Sequence, residues 1–328
     1  YFNGELAPKH MGKAYEYFLK ASQNGSGYGS YSCGFILMKG SSDIPRDIEK
    51  GLSMFRLAVD QNYKAATRDL ARYYYSLETE EDNRKALDYY LQYIEYNPKD
   101  TDTLLHIGLI YESGLGVPLN IDLARRYYER AAEQDETGMA YNFLGGTYMN
   151  DEETESNERK AVHYFQKAIE LGNTNAMFRI SYYLHNGKGG LQVDIPREIE
   201  LLTEASKRGN HQATYRLGLL FEDNESGMAQ NLELSVKYFQ LAADNGILAA
   251  INKMGELYLF GEVIPANLTK AISCFTAASE QGYGKASYWL GRLHTDGIGQ
   301  LEKDTQKAMN YYRKAIEQGY EEAREWME

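Results

Sequence analysis

Residues 284–320 have the sequence GKASYWLGRLHTDGIGQLEKDTQKAMNYYRKAIEQGY, which contains two helical patterns separated by a glycine-containing loop. Similar stretches occur throughout the chain. With Gly284 as the first position of a repeat frame, earlier copies begin at Leu248, His211, Thr174, Gly138, Thr101, Lys64 and Gly27. The copies follow one another at intervals of 36 or 37 residues. A constant interval of this size is typical of solenoid proteins, in which similar units stack side by side.

The first helix of each copy carries small residues at fixed positions. Position 3 is alanine in most copies, and position 11 is most often aromatic. Position 8 holds Gly34, Ala71, Gly108, Gly145, Ser181, Gly218, Gly255 and Gly291. Positions 3, 7 and 11 lie four residues apart and therefore share one face of a helix. We expect this face to pack inward, because small residues allow a close approach and the ring at position 11 fills the remaining space.

The second helix repeats a small–aromatic–small pattern. One copy of it consists of Ala308, Tyr311, Tyr312 and Ala315. Most copies then end on glycine, as at Gly319, where the left-handed conformation that ends a helix meets no Cβ clash. Asn62 and Asn97 occupy the same place, and asparagine is the usual substitute there. No copy has the alternating pattern of a strand, so the predicted fold class is all-α.

These columns resemble the SEL-one-like repeat, a longer relative of the tetratricopeptide repeat. The shared motif is A-x-x-x-L-G-x-x-Y-x-x-G-x-G, followed by K-A-x-x-Y-Y-x-K-A-A-x-x-G. One copy carries it on Ala140, Leu144, Gly145, Tyr148, Lys160, Ala161, Lys167, Ala168 and Gly172. The resemblance covers essentially the whole chain and implies a right-handed α-solenoid superhelix. Residues 64–100 depart most from the motif, because the charged segment 78–82 replaces the glycine loop.

The repeat frame predicts one solenoid domain over residues 1–328, with about eight complete helix-turn-helix repeats. Their predicted starts are near residues 27, 64, 101, 138, 174, 211, 248 and 284. Residues 1–26 form a half repeat that holds only a second helix, and residues 321–328 form a partial terminal helix. Because both ends fall inside a repeat, we expect the sequence to be a segment of a longer protein.

The composition limits the classes of partner. The chain has 35 Lys and Arg against 47 Asp and Glu, a formal net charge of −12. This argues against nucleic acid as a partner, because a phosphate backbone requires an excess of cations on one surface. No apolar run approaches the roughly 20 residues of a membrane span, so we predict no direct membrane insertion in this segment. Cys33 and Cys274 lie about six repeats apart, too far for a disulfide within the chain.

The sequence lacks a recognisable catalytic or metal-binding motif. The six histidines fall at unrelated positions, without metal-ligand spacing. The acidic segment 150–157 lacks the glycine and terminal glutamate of a calcium loop. The segment 186–190 lacks the spacing of a phosphate-binding loop. We therefore predict no cofactor, no metal and no catalytic activity.

A different set of first-helix positions is the candidate binding surface. If positions 3, 7, 8 and 11 pack inward, positions 2, 5, 9 and 12 point the opposite way. In the family that the chain resembles, first helices line the concave surface, which implies a partner-binding groove. The predicted groove residues are Tyr28, Tyr31, Phe35, Met38, Arg68, Arg72, Tyr75, Leu105, Glu112, Asn142, Met149, Phe178, Tyr182, His185, Tyr215, Glu222, Asn252, Glu256, Tyr288 and Arg292.

The tyrosines and arginines of this set favour a role in binding, since both residue types are common anchors of interfaces. We therefore predict a non-catalytic scaffold or adaptor that holds a peptide or protein in its groove. Two alternatives stay open. One is a carbohydrate-binding module, because tyrosine rings suit sugar rings and some members of the resembling family act in envelope or polysaccharide assembly. The other is a regulatory arm of a larger enzyme.

Overall fold

The computed structural model describes residues 10–223, 230–298 and 302–327. In these ranges the chain forms α-helices and one 3-10 helix, without a β-strand. The α-helices are α1 (Met11–Gln23), α2 (Gly27–Lys39), α3 (Ile48–Asp60), α4 (Ala65–Tyr75), α5 (Glu80–Tyr96), α6 (Thr101–Ser113), α7 (Ile121–Ala132), α8 (Met139–Met149), α9 (Glu155–Glu170), α10 (Thr174–Asn186), α11 (Ile195–Lys207), α12 (His211–Glu222), α13 (Leu232–Asp244), α14 (Leu248–Phe260), α15 (Leu268–Glu280), α16 (Gly284–Asp296) and α17 (Thr305–Glu317). The predicted all-α class is confirmed.

The even-numbered helices from α2 onward are the first helices of the repeats, and the odd-numbered ones are the second helices. α1 is the second helix of the predicted half repeat 1–26, of which residues 1–9 lie outside the described residues. The predicted partial terminal helix is a 3-10 helix, Glu321–Trp326, rather than an α-helix.

The chain divides into two compact units, residues 1–172 and residues 173–328. Within each unit, the main helix contacts join helices that are consecutive in sequence. This is the packing of an α-solenoid, in which each element contacts its neighbours. The single domain over residues 1–328 and the superhelical hand stay predictions.

The starts of the second helices are fixed by a repeated capping residue. Its side-chain oxygen accepts a hydrogen bond from the backbone N–H three residues further on. This occurs at Asp47, Asn120, Asn231, Asn267 and Asp304. Each cap satisfies one N–H that the first turn leaves without a partner, which is worth about 1 kcal/mol. The polar residue before each second helix therefore sets the boundary between loop and helix.

The two asparagines at helix C-terminal ends behave differently. Asn62 adopts the left-handed conformation expected of a glycine substitute, with φ of 65°. Asn97 does not, because its φ is −132° and its ψ is 74°. Pro98 follows Asn97 directly, and a proline restricts the residue before it to extended conformations. The prediction that asparagine replaces the left-handed glycine at the end of a helix was therefore correct at Asn62 and wrong at Asn97.

Each glycine at position 8 of a first helix lies against the buried ring of the second helix in the same repeat. A Cβ at Gly108 would overlap the ring of Tyr128, which is fully buried. In other copies the added Cβ would lie 2.5 or 2.6 Å from a ring carbon. These pairs are Gly34 with Phe55, Gly145 with Phe165, Gly218 with Phe239, Gly255 with Phe275, and Gly291 with Tyr312. Since real Cβ atoms do not approach a ring so closely, the small residue is what allows the two helices of a repeat to pack.

Most rings at position 11 stack at the margin of the core instead of filling it, although Tyr74 is buried as expected. Tyr148, for example, lies parallel to Tyr164 with ring centroids 5.7 Å apart. His294 stacks in the same way on Tyr311, at 5.7 Å and 7°. The core instead uses position 10, which holds Ile110 and Leu293 and is almost fully buried in both copies. A first helix contacts the second helix of its own repeat and also the second helix of the preceding repeat. The sequence analysis considered one inward face only and therefore missed this position.

Candidate binding surface

We call the residues at positions 2, 5, 9 and 12 of the first helices the first-helix surface. Three of its predicted members are buried: Leu105, Asn142 and Asn252. All three occupy position 5, where neighbouring helices close over the side chain. Their assignment as accessible groove residues is therefore corrected, because they belong to the interior of the repeat stack. The Oδ1 atoms of Asn142 and Asn252 lack a hydrogen-bond donor among the described residues.

In the first unit, charged members of the surface join consecutive first helices. Arg72 on α4 donates to Asp102 on α6 at 2.6 Å. Arg68, also on α4, contacts Asp100 at the start of α6, at 3.5 Å. Arg72 and Asp102 are both nearly half-exposed, and such pairs stabilise a protein by at most about 1 kcal/mol. These arginines therefore link repeats, and their charges are already balanced.

Other members in the first unit have partners within the stack. Glu112 on α6 accepts a hydrogen bond from the hydroxyl of Tyr128 on α7, at 2.6 Å. The ring of Tyr75 on α4 lies perpendicular to that of His106 on α6, with centroids 5.3 Å apart. Burial raises the pKa of Tyr75, and the nearby Glu78 carboxylate raises it further. The Tyr75 contact joins adjacent repeats, whereas the Glu112 bond joins the two helices of one repeat.

Tyr31 on α2 also forms contacts between two adjacent repeats. Its hydroxyl donates to Asp69 Oδ2 on α4 at 2.7 Å, and its ring stacks on Phe55 at 5.3 Å. Burial raises the pKa of Tyr31, and the Asp69 carboxylate raises it further because it stabilises the protonated hydroxyl. Tyr31 is therefore half-buried and hydrogen-bonded, and only part of its ring can meet a partner.

We expect Tyr31→Phe to lower the free energy of unfolding by about 1–2 kcal/mol, since it removes a hydrogen bond to a charged group. Urea titration followed by circular dichroism measures this change. Tyr17→Phe is the matched control, because Tyr17 on α1 is 60% exposed and its change should cost almost nothing. Equal stability of the Tyr31→Phe variant and the unaltered chain would show that the bond to Asp69 is not formed in solution.

In the second unit, Glu256 on α14 is the centre of a polar network. Its Oε1 accepts from the indole N–H of Trp289 at 2.9 Å and pairs with Lys285 at 2.8 Å. Lys253 lies 4.0 Å from Glu256 and forms a shorter contact, 2.8 Å, with Glu222 on α12. Three consecutive first helices, α12, α14 and α16, are thus connected across the predicted surface.

His185 on α10 contacts a buried carboxylate. Glu198 on α11 has no exposed side-chain surface, and its Oε2 lies 3.0 Å from His185 Nδ1. Its other oxygen, Oε1, accepts from Arg216 on α12 at 3.1 Å. A buried carboxylate without such partners is costly. His185 therefore helps to hold the buried Glu198 carboxylate in place.

Near the end of the second unit, Tyr288 and Arg292 on α16 are covered by the 3-10 helix. The Arg292 guanidinium lies 4.0 Å from the ring centroid of Trp326 and donates to the Tyr288 hydroxyl at 3.0 Å. Tyr215 on α12 packs beside Phe239, and burial raises its pKa to about 12. These three predicted groove residues are therefore half-buried. Met38 and Phe178 are half-buried as well.

Five predicted residues stay largely accessible: Tyr28, Phe35, Arg72, Met149 and Tyr182. Tyr28 and Phe35 lie seven residues apart on α2 and so share one face of that helix. They are 55% and 42% exposed. Tyr182 on α10 is 41% exposed, and its hydroxyl accepts from Lys188 at 3.1 Å. The accessible part of the first-helix surface is therefore mainly aromatic.

The sequence analysis missed Phe260, which ends α14 and is 56% exposed. It borders a cavity of about 460 Å³ together with Glu222, Lys253 and Glu256. Phe260 falls at position 13, one residue beyond the positions that we considered. Lys253 falls at position 6. Opposite charges about one repeat apart, as in Glu222 and Lys253, are a signal that could have found these contacts.

Among the described residues, no three His, Cys, Asp or Glu side chains are grouped so that they could hold a metal ion. In the same part of the chain, no helix combines the length and the apolar character that crossing a membrane requires.

Comparison with known proteins gives the family. The Sel1 repeat model matches residues 1–26, 28–63, 64–92, 103–136, 138–173, 174–210, 211–247, 248–283 and 284–320. The chain belongs to the Sel1 repeat family. Proteins of this class are helical-repeat solenoids that commonly serve as scaffolds for protein interaction.

Individual relatives match the chain over part of their length. Protein sel-1 homolog 2 from Rattus norvegicus is 41% identical over 75 residues, which are 23% of this chain and 11% of the rat protein. A Sel1 repeat protein from Oxalobacter formigenes has a similar structure, with a TM-score of 0.71 and 23% identity, over 95% of this chain and 89% of that chain. The protective antigen c5321 of uropathogenic Escherichia coli has a TM-score of 0.64 at 20% identity, over 95% of this chain and 66% of its own. The two structures support the fold alone.

Proposed function

We propose that the chain is a non-catalytic scaffold that binds a peptide or protein segment on its first-helix surface. The observation that carries this proposal is the exposure of Tyr28, Phe35 and Tyr182. These rings lie outside the core of the repeat, where the small residues at position 8 pack against the buried second-helix rings. Exposed aromatic side chains on a rigid helix are efficient anchors, since they bury a large area at a small cost in side-chain entropy.

The charged residues of the first-helix surface are suited to contact the polar main chain of a bound segment. The aromatic rings would contact its apolar side chains. Arg72, Glu222 and Glu256 are held in place by pairs between consecutive first helices. Such groups need little reordering when a segment binds, which lowers the entropic cost of binding. The rings would supply most of the affinity, and the paired charges would set the register of the segment.

Phe35 and Tyr182 lie in different units. We expect the alanine variant of whichever ring lies in the unit that holds the peptide to weaken binding about tenfold or more, because it removes an aromatic anchor. The ligands are peptides selected from a displayed random library on the purified chain, and their Kd is measured by fluorescence polarisation. The unit that holds the peptide is then shown by which variant loses affinity. Helical content should not change, since both rings are largely exposed.

Tyr17→Ala is the matched control, since Tyr17 is an exposed tyrosine on the second helix α1. Its variant should bind the selected peptides as well as the unaltered chain does. Unchanged binding by both Phe35→Ala and Tyr182→Ala would contradict the proposal. Ligands found only on a glycan array, with binding that requires Tyr182, would favour the carbohydrate alternative.

A further inference from the structure

A second candidate site lies on the side of the second helices. In the second unit, a cavity of about 630 Å³ opens between α13, the loop after α14 and the start of α15. Met254 and Tyr258 of α14 line it. They occupy positions 7 and 11, on the face of α14 opposite Asn252 and Glu256. The cavity is therefore separate from the first-helix surface.

The lining of the cavity is apolar in its centre. Val236 and Leu241 on α13, together with Ile264 in the loop, complete the wall begun by Met254 and Tyr258. Leu241 is 47% exposed. A volume of this size lies within the range of sites that bind ligands. The cavity can thus receive one or two apolar side chains from outside.

The other repeats show that the fold does not require leucine at position 241. Two residues after the buried second-helix ring, five of the other seven copies carry a polar or charged side chain. These are Gln92, Arg130, Lys167, Glu204 and Lys314. Leu57 and Ala277 occupy the remaining two. Leu241 extends the apolar lining of the cavity onto the surface, and a contiguous apolar patch, unlike a single exposed leucine, indicates a contact surface.

The charges at the edge indicate which partner fits. Lys237 on α13 and Lys270 on α15 stand on the two sides of the cavity. Lys237 pairs with Glu233 of its own helix at 2.8 Å, and Lys270 lies over the Tyr258 ring at 5.1 Å. Asp244, the acidic residue of the lining, accepts a hydrogen bond from Gln240 at 2.7 Å. The charged residues of the lining are thus two lysines and one aspartate, a formal charge of +1, on a chain whose net charge is −12.

We infer that this cavity binds an acidic segment of a partner protein, with one or two aliphatic side chains inserted between α13 and α15. Carboxylates that flank the inserted side chains pair with Lys237 and Lys270. The aliphatic side chains supply affinity through burial, and the lysines reject basic segments. The site is independent of the first-helix surface, so each can fail without the other.

The test uses synthetic hexapeptides and methyl-labelled chain in NMR titrations. One peptide is Asp-Glu-Leu-Leu-Asp-Glu, the second has lysine in place of every acid, and the third has serine in place of both leucines. We expect the first alone to shift the methyl signals of Val236, Leu241, Met254 and Ile264. Leu241→Lys should weaken its binding about tenfold or more, and Lys237→Ser with Lys270→Leu should do the same. Each substitution introduces a residue type that other copies of the repeat carry at the corresponding position, so the fold should tolerate it.

Leu57→Lys is the matched control, since Leu57 holds the same position in the first repeat and is 38% exposed. It should leave the titration unchanged. The inference is overturned if the acidic leucine peptide moves none of these signals at millimolar concentration. It is overturned equally if the lysine or serine peptide moves them to the same extent, or if Leu57→Lys weakens binding as much as Leu241→Lys.

Discussion

Replacing Arg216 by leucine is expected to lower the free energy of unfolding by about 3 kcal/mol or more. Glu198 is wholly buried, and Arg216 contacts its Oε1 through both Nε and a terminal nitrogen, at 3.1 Å. Removing the guanidinium leaves a carboxylate that is shielded from water, with His185 as its remaining described partner. The cost arises from the charge that stays behind rather than from the lost contact itself. Urea titration followed by circular dichroism measures it.

A second substitution should restore most of the stability. Where Glu198 stands, other second helices carry a small residue, such as Ala161 or Ala308. The double variant Glu198→Ala with Arg216→Leu removes both charges and should be much more stable than Arg216→Leu alone. The control is Arg197→Leu, because Arg197 forms an exposed pair with Glu200 and should cost less than about 1 kcal/mol. Equal losses for Arg216→Leu and Arg197→Leu would show that Glu198 is not buried as described.

The second large effect is expected at the glycine column. Gly108→Ala should lower the free energy of unfolding by about 3 kcal/mol, at the upper end of the usual cost of overpacking. The added Cβ would overlap the ring of Tyr128. That ring is fully buried, and its hydroxyl is held by Glu112. The ring therefore cannot move aside without breaking this bond, and the two helices must separate.

The fifth copy of the repeat indicates how the clash can be relieved. Ser181 takes the place of the glycine in the fifth copy, where Leu202 stands in place of the ring. The double variant Gly108→Ala with Tyr128→Leu should therefore be less destabilised than the sum of the two single changes. Ser181→Ala is the control and should cost little, since it removes only a hydroxyl bonded to the Phe178 carbonyl. Full additivity in the double variant would rule out the proposed contact.

Ala71 shows that the column tolerates a Cβ in a copy where no hydrogen bond holds the hydroxyl of the ring. Its copy places Tyr90 at the ring position, and the Tyr90 hydroxyl is without a hydrogen-bond partner in the part of the chain that the structure describes. Tyr128 differs because Glu112 fixes its hydroxyl. We therefore expect part of the effect at Gly108 to arise from this bond. Gly108→Ala in a Glu112→Gln background should cost less.

Most of the fold was predictable because its determinants are local. The interval between copies, the glycine column and the alanines of the second helices predicted helix pairs, and the structure contains them. Position 10 could not be assigned in this way. Ile110 and Leu293 are buried by more than one neighbouring helix, and the repeat pattern alone does not say how many neighbours a face has.

The candidate site was predictable only in outline. The sequence identified which face of each first helix could carry a binding surface. It could not show that Arg72 reaches Asp102, that Tyr31 bonds to Asp69, or that Asn252 is covered. These outcomes depend on the offset between adjacent helices. Leu241 was missed because it lies on a second helix, outside the face that we considered.

By itself, the sequence determined that the chain folds as repeated helix pairs, since helix caps, small residues and ring positions act within one repeat. The tertiary structure decided which polar and aromatic side chains stay accessible. The physical reason is that stacking brings together residues about one repeat apart, so that Arg72 and Glu256 find partners while Phe35 and Tyr182 remain largely exposed.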